Sequence, residues 1–276
     1  MSVPNKKGPN ILLSADDGIY SQGIKCLGKE MHSRNYDLTV IAPRGQRSGV
    51  GKAITFDEPI RVEEIPLPYL DGDIGWRITG TPADAAIHGI HERSQTDQPP
   101  FDLVVAGINA GENTSVHSLL TSGTCAVAFE AALLGCPALA FSLDVHDHLF
   151  FDDRQPIKEY AIVAEIACDI IEKILVHGLP KGVAFLNINF PNNVTLDTPI
   201  EIASLSPIKY IDYTIKKKDP RGVPYYWIWG NRVSNIPVGT DVHTVIEKKA
   251  ISVTPITLKF DAGLSESRKN LDFLLS

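Results

Sequence analysis

The chain reads as an α/β protein with a doubly wound, mainly parallel sheet and a C-terminal β-rich appendage. Two observations predict this. Short apolar runs alternate with helical patterns from Asn10 to Ile188, and continuous apolar runs between helices mark parallel strands covered on both faces. Beyond about Thr198 the texture changes to alternating strands and turns.

In order, the run Asn10-Ile-Leu-Leu-Ser-Ala15 predicts a strand at 11–14, followed by a helix at 23–34 and a strand at 38–42. A helix at 81–93, a strand at 103–106, a helix at 124–134 and a strand at 138–142 continue the alternation, and a helix at 157–176 and a strand at 183–188 complete it. Asp219-Pro-Arg-Gly-Val-Pro224 predicts a hairpin tip. Lys216-Lys-Lys218 reads as a solvated strand edge, since lysine discourages edge pairing. The expected organisation is an α/β core over 1–197 and an extension over 198–276.

With 276 residues, 43% hydrophobic and 21% charged, the chain can bury a large core as one domain, or as one domain with an appended piece. Its 33 acidic and 26 basic residues give a formal charge of −7 with no basic stripe, which argues against long nucleic acid as a partner. Cys26, Cys125, Cys136 and Cys168 lie in apolar segments without Cys-x-x-Cys spacing, as expected of reduced, packed thiols. The polar start, residues 1–9, has no signal core, and the most apolar stretch, 127–143, is broken by Glu130, Gly135 and Pro137. No membrane partner is expected, and the cytoplasm is the expected location.

In open α/β sheets ligands bind beyond the carboxyl ends of the strands. There the first strand empties onto Asp16 and Asp17, followed by Gly18. Two adjacent carboxylates at a buried strand end are costly without a cation between them, although Asp-Gly also suits a turn or helix cap. After the second strand, Ala42-Pro-Arg-Gly-Gln-Arg-Ser-Gly49 brings Ser48, Arg44 and Arg47 to the same rim. After the 101–107 strand comes Ile108-Asn-Ala-Gly-Glu-Asn113. Two carboxylates, a hydroxyl and an amide oxygen form an all-oxygen set that favours magnesium, manganese or calcium over zinc. Leu120-Thr-Ser-Gly-Thr124 opens a helix, either as a phosphate site or as an ordinary N-cap.

Other chemistries are excluded. Gly45-Gln-Arg-Ser-Gly-Val-Gly-Lys52 has the wrong spacing for a P-loop, and Ala53 stands where a magnesium-binding hydroxyl is required. Neither a Gly-x-Gly-x-x-Gly fingerprint after the first strand nor a Gly-x-Ser-x-Gly elbow is present. His88, His91, His146 and His148 lack carboxylate partners at ligand spacing and read as surface or packing residues.

Asp16-Asp17-Gly18-Ile19, Arg47-Ser48-Gly49, Gly80-Thr-Pro-Ala-Asp84, Gly107-Ile-Asn-Ala-Gly-Glu-Asn113, Ser122-Gly-Thr124 and Leu186-Asn-Ile-Asn-Phe-Pro191 occur in that order. Asp219-Pro-Arg-Gly-Val-Pro-Tyr-Tyr-Trp227, Gly239-Thr-Asp-Val-His243 and Ile251-Ser-Val-Thr-Pro255 follow. In this ordered combination the chain resembles SurE, the survival-protein family of 5′/3′-nucleotidases. The resemblance implies a metal-dependent phosphomonoesterase acting on nucleoside monophosphates. It implies one divalent ion per subunit, Mg2+ or Mn2+, held by Asp16, Asp17, Ser48 and Asn109, with the two aspartates catalytic. It further implies phosphate contacts from Asn113, Ser122, Gly123 and Thr124, and a homodimer or homotetramer associating through residues 198–253. Ala15 departs from the family's usual Asn before the two aspartates, and 114–121 also departs from the commoner pattern. A nucleotide- and metal-binding sensor or scaffold without turnover, and a phosphatase for non-nucleotide substrates such as short polyphosphate, are the alternative readings of the same rim. Spacing does not decide whether Glu112 or Asp84 touches the site, and Asp84, after Thr81-Pro82, also suits a cap for its helix.

Overall fold

Ile11 and Leu13 turn to one side of strand β1 (Asn10–Ser14) and Leu12 to the other, and all three are fully buried. That alternation explains why the run is apolar throughout: both faces of the strand are covered by helices. The computed structural model describes residues 8–96, 100–145 and 158–261. His146, His148 and the start of the helix predicted at 157–176 lie outside them.

After β1 come α1 (Gln22–Ser33), β2 (Asp37–Pro43), β3 (Val62–Pro66), β4 (Ile74–Ile78), α2 (Pro82–Ser94) and β5 (Leu103–Ala110). Then follow α3 (Ser115–Thr121), α4 (Gly123–Leu133), β6 (Ala138–Leu143), α5 (Glu159–His177) and β7 (Phe185–Phe190). The chain continues with β8 (Ile200–Ile202), β9 (Tyr210–Lys218), β10 (Pro224–Arg232), a short π-helix (His243–Glu247) and β11 (Ile251–Ile256). One nine-stranded sheet has the order β3-β4-β2-β1-β5-β6-β7-β11-β8, and β9 and β10 form a separate hairpin. Six of its eight neighbour pairings are parallel; β3–β4 and β11–β7 are antiparallel. Helices α1 and α5 cover one face, and α2 and α4 the other. The observed fold is thus doubly wound α/β, as the alternation of runs predicts.

Several elements escape the sequence reading. β3 and β4 form an edge hairpin in which only three of ten residues are buried. Their faces carry Glu63, which bonds Arg77 at 2.7 Å and also pairs with Arg44, so no apolar run marks them. β8 and β11, both beyond residue 198, add to the main sheet. Helix α3 has only seven residues and starts at Ser115, whose φ of 74° requires a local anchor. Asp241 supplies it: Oδ2 accepts from the Ser115 N–H at 2.8 Å, while Oδ1 accepts from Ser206 and Val242.

The predicted hairpin tip is present. Asp219 Oδ1 accepts from the backbone N–H groups of Arg221 and Val223, both at 2.9 Å, and Gly222 takes a φ of 83°. The register pairs Trp229 with Tyr213, Trp227 with Ile215 and Arg232 with Tyr210. Since paired residues share a face, Ile211, Tyr213, Trp227 and Trp229 crowd one face. Tyr210, Asp212, Ile228 and Arg232 occupy the other.

Cys125 and Cys168 are buried, Cys26 and Cys136 half-buried, and all four are free thiols. Among the described residues no single helix is long and apolar enough to cross a membrane.

Candidate active site

β1 ends in Ser14-Ala15, and the chain leaves the sheet at Asp16, which is only 4% exposed. The first turn of α4 closes over its carboxylate. Thr124 Oγ1 donates to Asp16 Oδ1, and the backbone N–H groups of Gly123 and Thr124 add to it. Burial pushes the Asp16 carboxyl above its usual range, while these hydrogen bonds pull the other way. Gly123 permits the approach: a Cβ there would lie 2.6 Å from Asp16 Cβ and 2.9 Å from Pro82 Cγ. Gly123→Ala therefore has to displace either Asp16 or α2. The expected result is a loss of roughly 1–3 kcal/mol, read as a lower denaturation midpoint at unchanged slope.

Asp17, next in the chain, is half-buried. Its Oδ2 accepts from the Ala110 N–H at 2.9 Å and its Oδ1 from Gln46 Nε2 at 3.4 Å. Ala110 and Asn109 follow an irregularity in the β5–β6 pairing between Ala106 and Asn109. A bulge of this kind re-aims the side chains after it. The predicted strand at 103–106 therefore extends to Ala110, and Asn109 sits on the strand end rather than in the following loop. Asn109 is buried and its Nδ2 donates to the Gly111 carbonyl, which leaves Oδ1 as the donor atom for a cation.

Ser48 lies exposed on the loop after β2. The loop is tied down on both sides of it. The Arg47 N–H donates to the Asp16 carbonyl at 2.7 Å and its guanidinium to the Thr79 carbonyl at 3.0 Å, and Gly51 N–H bonds the Thr121 carbonyl at 2.8 Å. Lys52 pairs with the buried Glu130 of α4. Thr55 donates twice to Asp84, which also closes a capping box with Thr81 at the start of α2. Asp84 thus caps its helix and anchors the Ser48 loop.

Asn113 is buried beneath the same rim. Its N–H donates to Asn189 Oδ1 at 2.7 Å, its Nδ2 to Ser142 Oγ at 2.8 Å, and its carbonyl accepts from Asn187 Nδ2 at 2.9 Å. Sequence reasoning assigned no role to Ser142, Asn187 or Asn189. Their signal was available: two amides at alternate positions of the buried run Phe185–Phe190 share one face, and an unpaired buried amide is costly. In the Ser122–Thr124 segment, Ser122 caps α4 by accepting from the Cys125 N–H at 3.0 Å. Gly123 and Thr124 give the donors already described to Asp16. Ala15, fully buried in the α1/α5 core cluster, adds nothing polar to the site.

Glu112, between Asn109 and Asn113, points away from the aspartates. It pairs with the buried Lys209 at 2.9 Å, with Arg232 3.6 Å away. Nearby, Asp144 is raised above the ordinary carboxylate range by burial and by Glu112. The fold therefore favours its neutral form, and its contribution is present below the unfolded pKa and lost as pH rises through the raised folded value. Asp144→Asn is expected to remove that loss. The variant should gain stability relative to the parent between mildly acidic and neutral pH, as paired denaturant titrations would read.

The donors suit a hard divalent cation. Among the described residues Asp16 makes no ion pair, and no group of three or more His, Cys, Asp or Glu residues is placed to hold a metal ion, so a cation here would depend on two carboxylates and neutral oxygens. Two carboxylates with neutral oxygens from Asn109 and Ser48 are what magnesium or manganese take while keeping waters.

Residues 11–212 match the family profile described as Survival protein SurE. A protein named 5′-nucleotidase SurE from Methanocaldococcus jannaschii is 40% identical over 265 residues, 95% of this chain and 94% of its own. One of the same name from Methanocella arvoryzae is 36% identical over 253 residues, 91% and 93% of the two chains. The crystal structure of the SurE protein from Aquifex aeolicus superposes with a TM-score of 0.77 at 31% identity, covering 97% of this chain and all of that one. With sequence and architecture matching along almost its whole length, this chain belongs to the SurE family.

Proposed function

We propose that the chain is a phosphoric monoester hydrolase, a 5′-nucleotidase, that uses one divalent ion, Mg2+ or Mn2+, to release phosphate from nucleoside 5′-monophosphates and also from 3′-monophosphates. The observation that carries the reading is the buried Asp16 carboxylate, gripped by the α4 N-terminus beside Asp17 and Asn109. The names of the relatives support the nucleotidase class.

In this reading Asp16, Asp17, Asn109 Oδ1 and Ser48 Oγ hold the ion, which when bound supplies Lewis-acid charge to the phosphate and acidity to a water. The protein's own part is preorganisation. Thr124 and the α4 backbone lock Asp16, Ala110 locks Asp17, and neither has to reorient during the reaction. Asn113, clamped at three atoms by Ser142, Asn187 and Asn189, offers its amide to a phosphate oxygen. The Ser122–Thr124 turn borders the same phosphate, with the positive end of α4 behind it. One aspartate accepts the proton of the attacking water.

The apolar hairpin face carries the association into a homodimer or homotetramer: Ile211, Trp227 and Trp229 are 62%, 61% and 59% exposed in the monomer. A monomeric mass by light scattering would remove that assignment.

Phosphate release from 5′- and 3′-monophosphates, with chelator, magnesium or manganese, tests the whole reading. Release that requires the metal is expected. Silence on every ester with metal still bound would overturn it in favour of a binding role.

A further inference from the structure

The loop that carries Ser48 runs from residue 44 to 61 between β2 and β3 without regular secondary structure, and residues 44–49 are all exposed. A segment of that length inside a compact domain calls for specific anchors or a functional role. Apolar burial does not fix Ser48; backbone bonds and an ion pair hold the chain on either side of it. Before it, the Arg47 N–H reaches the Asp16 carbonyl at 2.7 Å. After it, the Gly51 N–H reaches the Thr121 carbonyl at 2.8 Å, and Lys52 pairs with Glu130. The approach at Gly51 is close: its φ is 57°, and a Cβ there would lie 2.8 Å from the Leu120 carbonyl oxygen.

Glu130 is the single charged residue of α4, and its side chain is 6% exposed. An apolar side chain would pack at this position without needing a partner, whereas a buried carboxylate must be paired. Among the described residues its ion-pair partner is Lys52, which the Ser48 loop supplies. Lys52 also lines an apolar groove with Leu119, Leu120, Ala126, Phe129 and Leu133, as suits a lysine whose stem packs on apolar surface while its head meets a charge. The same helix grips Asp16 through Gly123 and Thr124 in its first turn, and Glu130 follows Gly123 by two turns, roughly 10 Å. Helix α4 thus holds the Asp16 carboxylate at one end and the Ser48 loop further along. Gly51-Lys52, which fits no P-loop, has this use instead.

We propose that Lys52 and Glu130 are positioning residues of the metal centre: their ion pair latches the Ser48 loop to α4, so that the helix that grips Asp16 also seats the Ser48 hydroxyl. They act through the backbone of residues 48–52 rather than on the ion or the substrate. The assignment deepens the metal-dependent phosphomonoesterase reading and rests on it. Releasing the latch leaves Asp16, Asp17 and Asn109 with the partners they have now. The loss therefore falls on metal affinity and much less on turnover once the metal is saturating.

The test titrates manganese into the metal-free full chain by calorimetry and follows phosphate release from adenosine 5′-monophosphate over a range of manganese concentrations. It compares the parent with Lys52→Arg, Lys52→Met and the double variant Lys52→Met/Glu130→Met. The double variant strands no buried charge and keeps α4 apolar, so it retains the fold even where Lys52→Met loses stability. In both methionine variants manganese affinity is expected to fall about tenfold, with kcat at saturating manganese within about threefold of the parent's. Lys52→Arg, which restores the charge, should recover most of the affinity. Parental affinity in the double variant overturns the latch, because the pair then matters only through its buried charge. A loss in Lys52→Arg equal to that in Lys52→Met, or a fall in kcat at saturating metal as large as the fall in affinity, overturns it as well. The calorimetry separates this from failure of the reaction itself. If the parent hydrolyses no ester but binds manganese, and the double variant binds it about tenfold more weakly, the latch stands without the phosphatase. If the parent binds no manganese, the latch falls.

Discussion

Asp17→Asn is expected to lower metal-dependent phosphate release by about a hundredfold or more while leaving the protein folded. The substitution changes charge at nearly constant shape. One side-chain oxygen remains to accept from the Ala110 N–H, now bonded at 2.9 Å, and Asp17 is half-buried at a loop rather than in the core. What is lost is one of the two anionic donors for a divalent ion, so magnesium binding should weaken in parallel with activity. The check is to measure both on the same preparation, by calorimetry and by phosphate release, with circular dichroism to confirm the fold. Parental rates in a folded Asp17→Asn protein would remove Asp17 from the metal centre.

Lys209→Met carries the largest expected cost to stability, about 3 kcal/mol. Lys209 and Glu112 are 5% and 8% exposed at their side chains and meet at 2.9 Å, with a second bond from Nζ to the Glu112 carbonyl at 3.2 Å. Removing the ammonium strands a buried carboxylate, and Arg232 at 3.6 Å compensates only in part. For a chain of this size that corresponds to a fall in Tm of roughly 5–10 °C. The double variant with Glu112→Gln should recover much of the loss, since the stranded charge is then gone. A Tm within a degree of the parent's in Lys209→Met would show that the pair contributes nothing net.

The two predictions bear on neighbouring parts of one strand-end loop. Asn109, Glu112 and Asn113 lie within five residues, yet they face the candidate metal centre, a buried lysine from the start of the hairpin and an asparagine ladder respectively. Spacing alone cannot separate these roles, because a bulged strand end and the loop after it keep no period that assigns a face.

What the sequence determined by itself is what local chemistry repeats. The double-sided apolar runs specify a sheet covered by helices, the Asp219–Pro224 turn residues specify the hairpin tip, and paired aspartates at a strand end specify where charge must be compensated. Those inferences depend on period and residue type, which are properties of neighbouring positions. Only the tertiary structure decided which distant groups share a bond. Asp84 holds Thr55 across 29 residues, Thr124 reaches Asp16 across 108, and Asp241 pins Ser115 across 126. The weak edge strand β3, its neighbour β4 and the short helix α3 likewise owe their form to such partners, because their own residues bury too little apolar surface to announce them. The physical reason is the same in each case: a buried polar group must find its partner wherever the fold brings one, and chain separation does not enter that requirement.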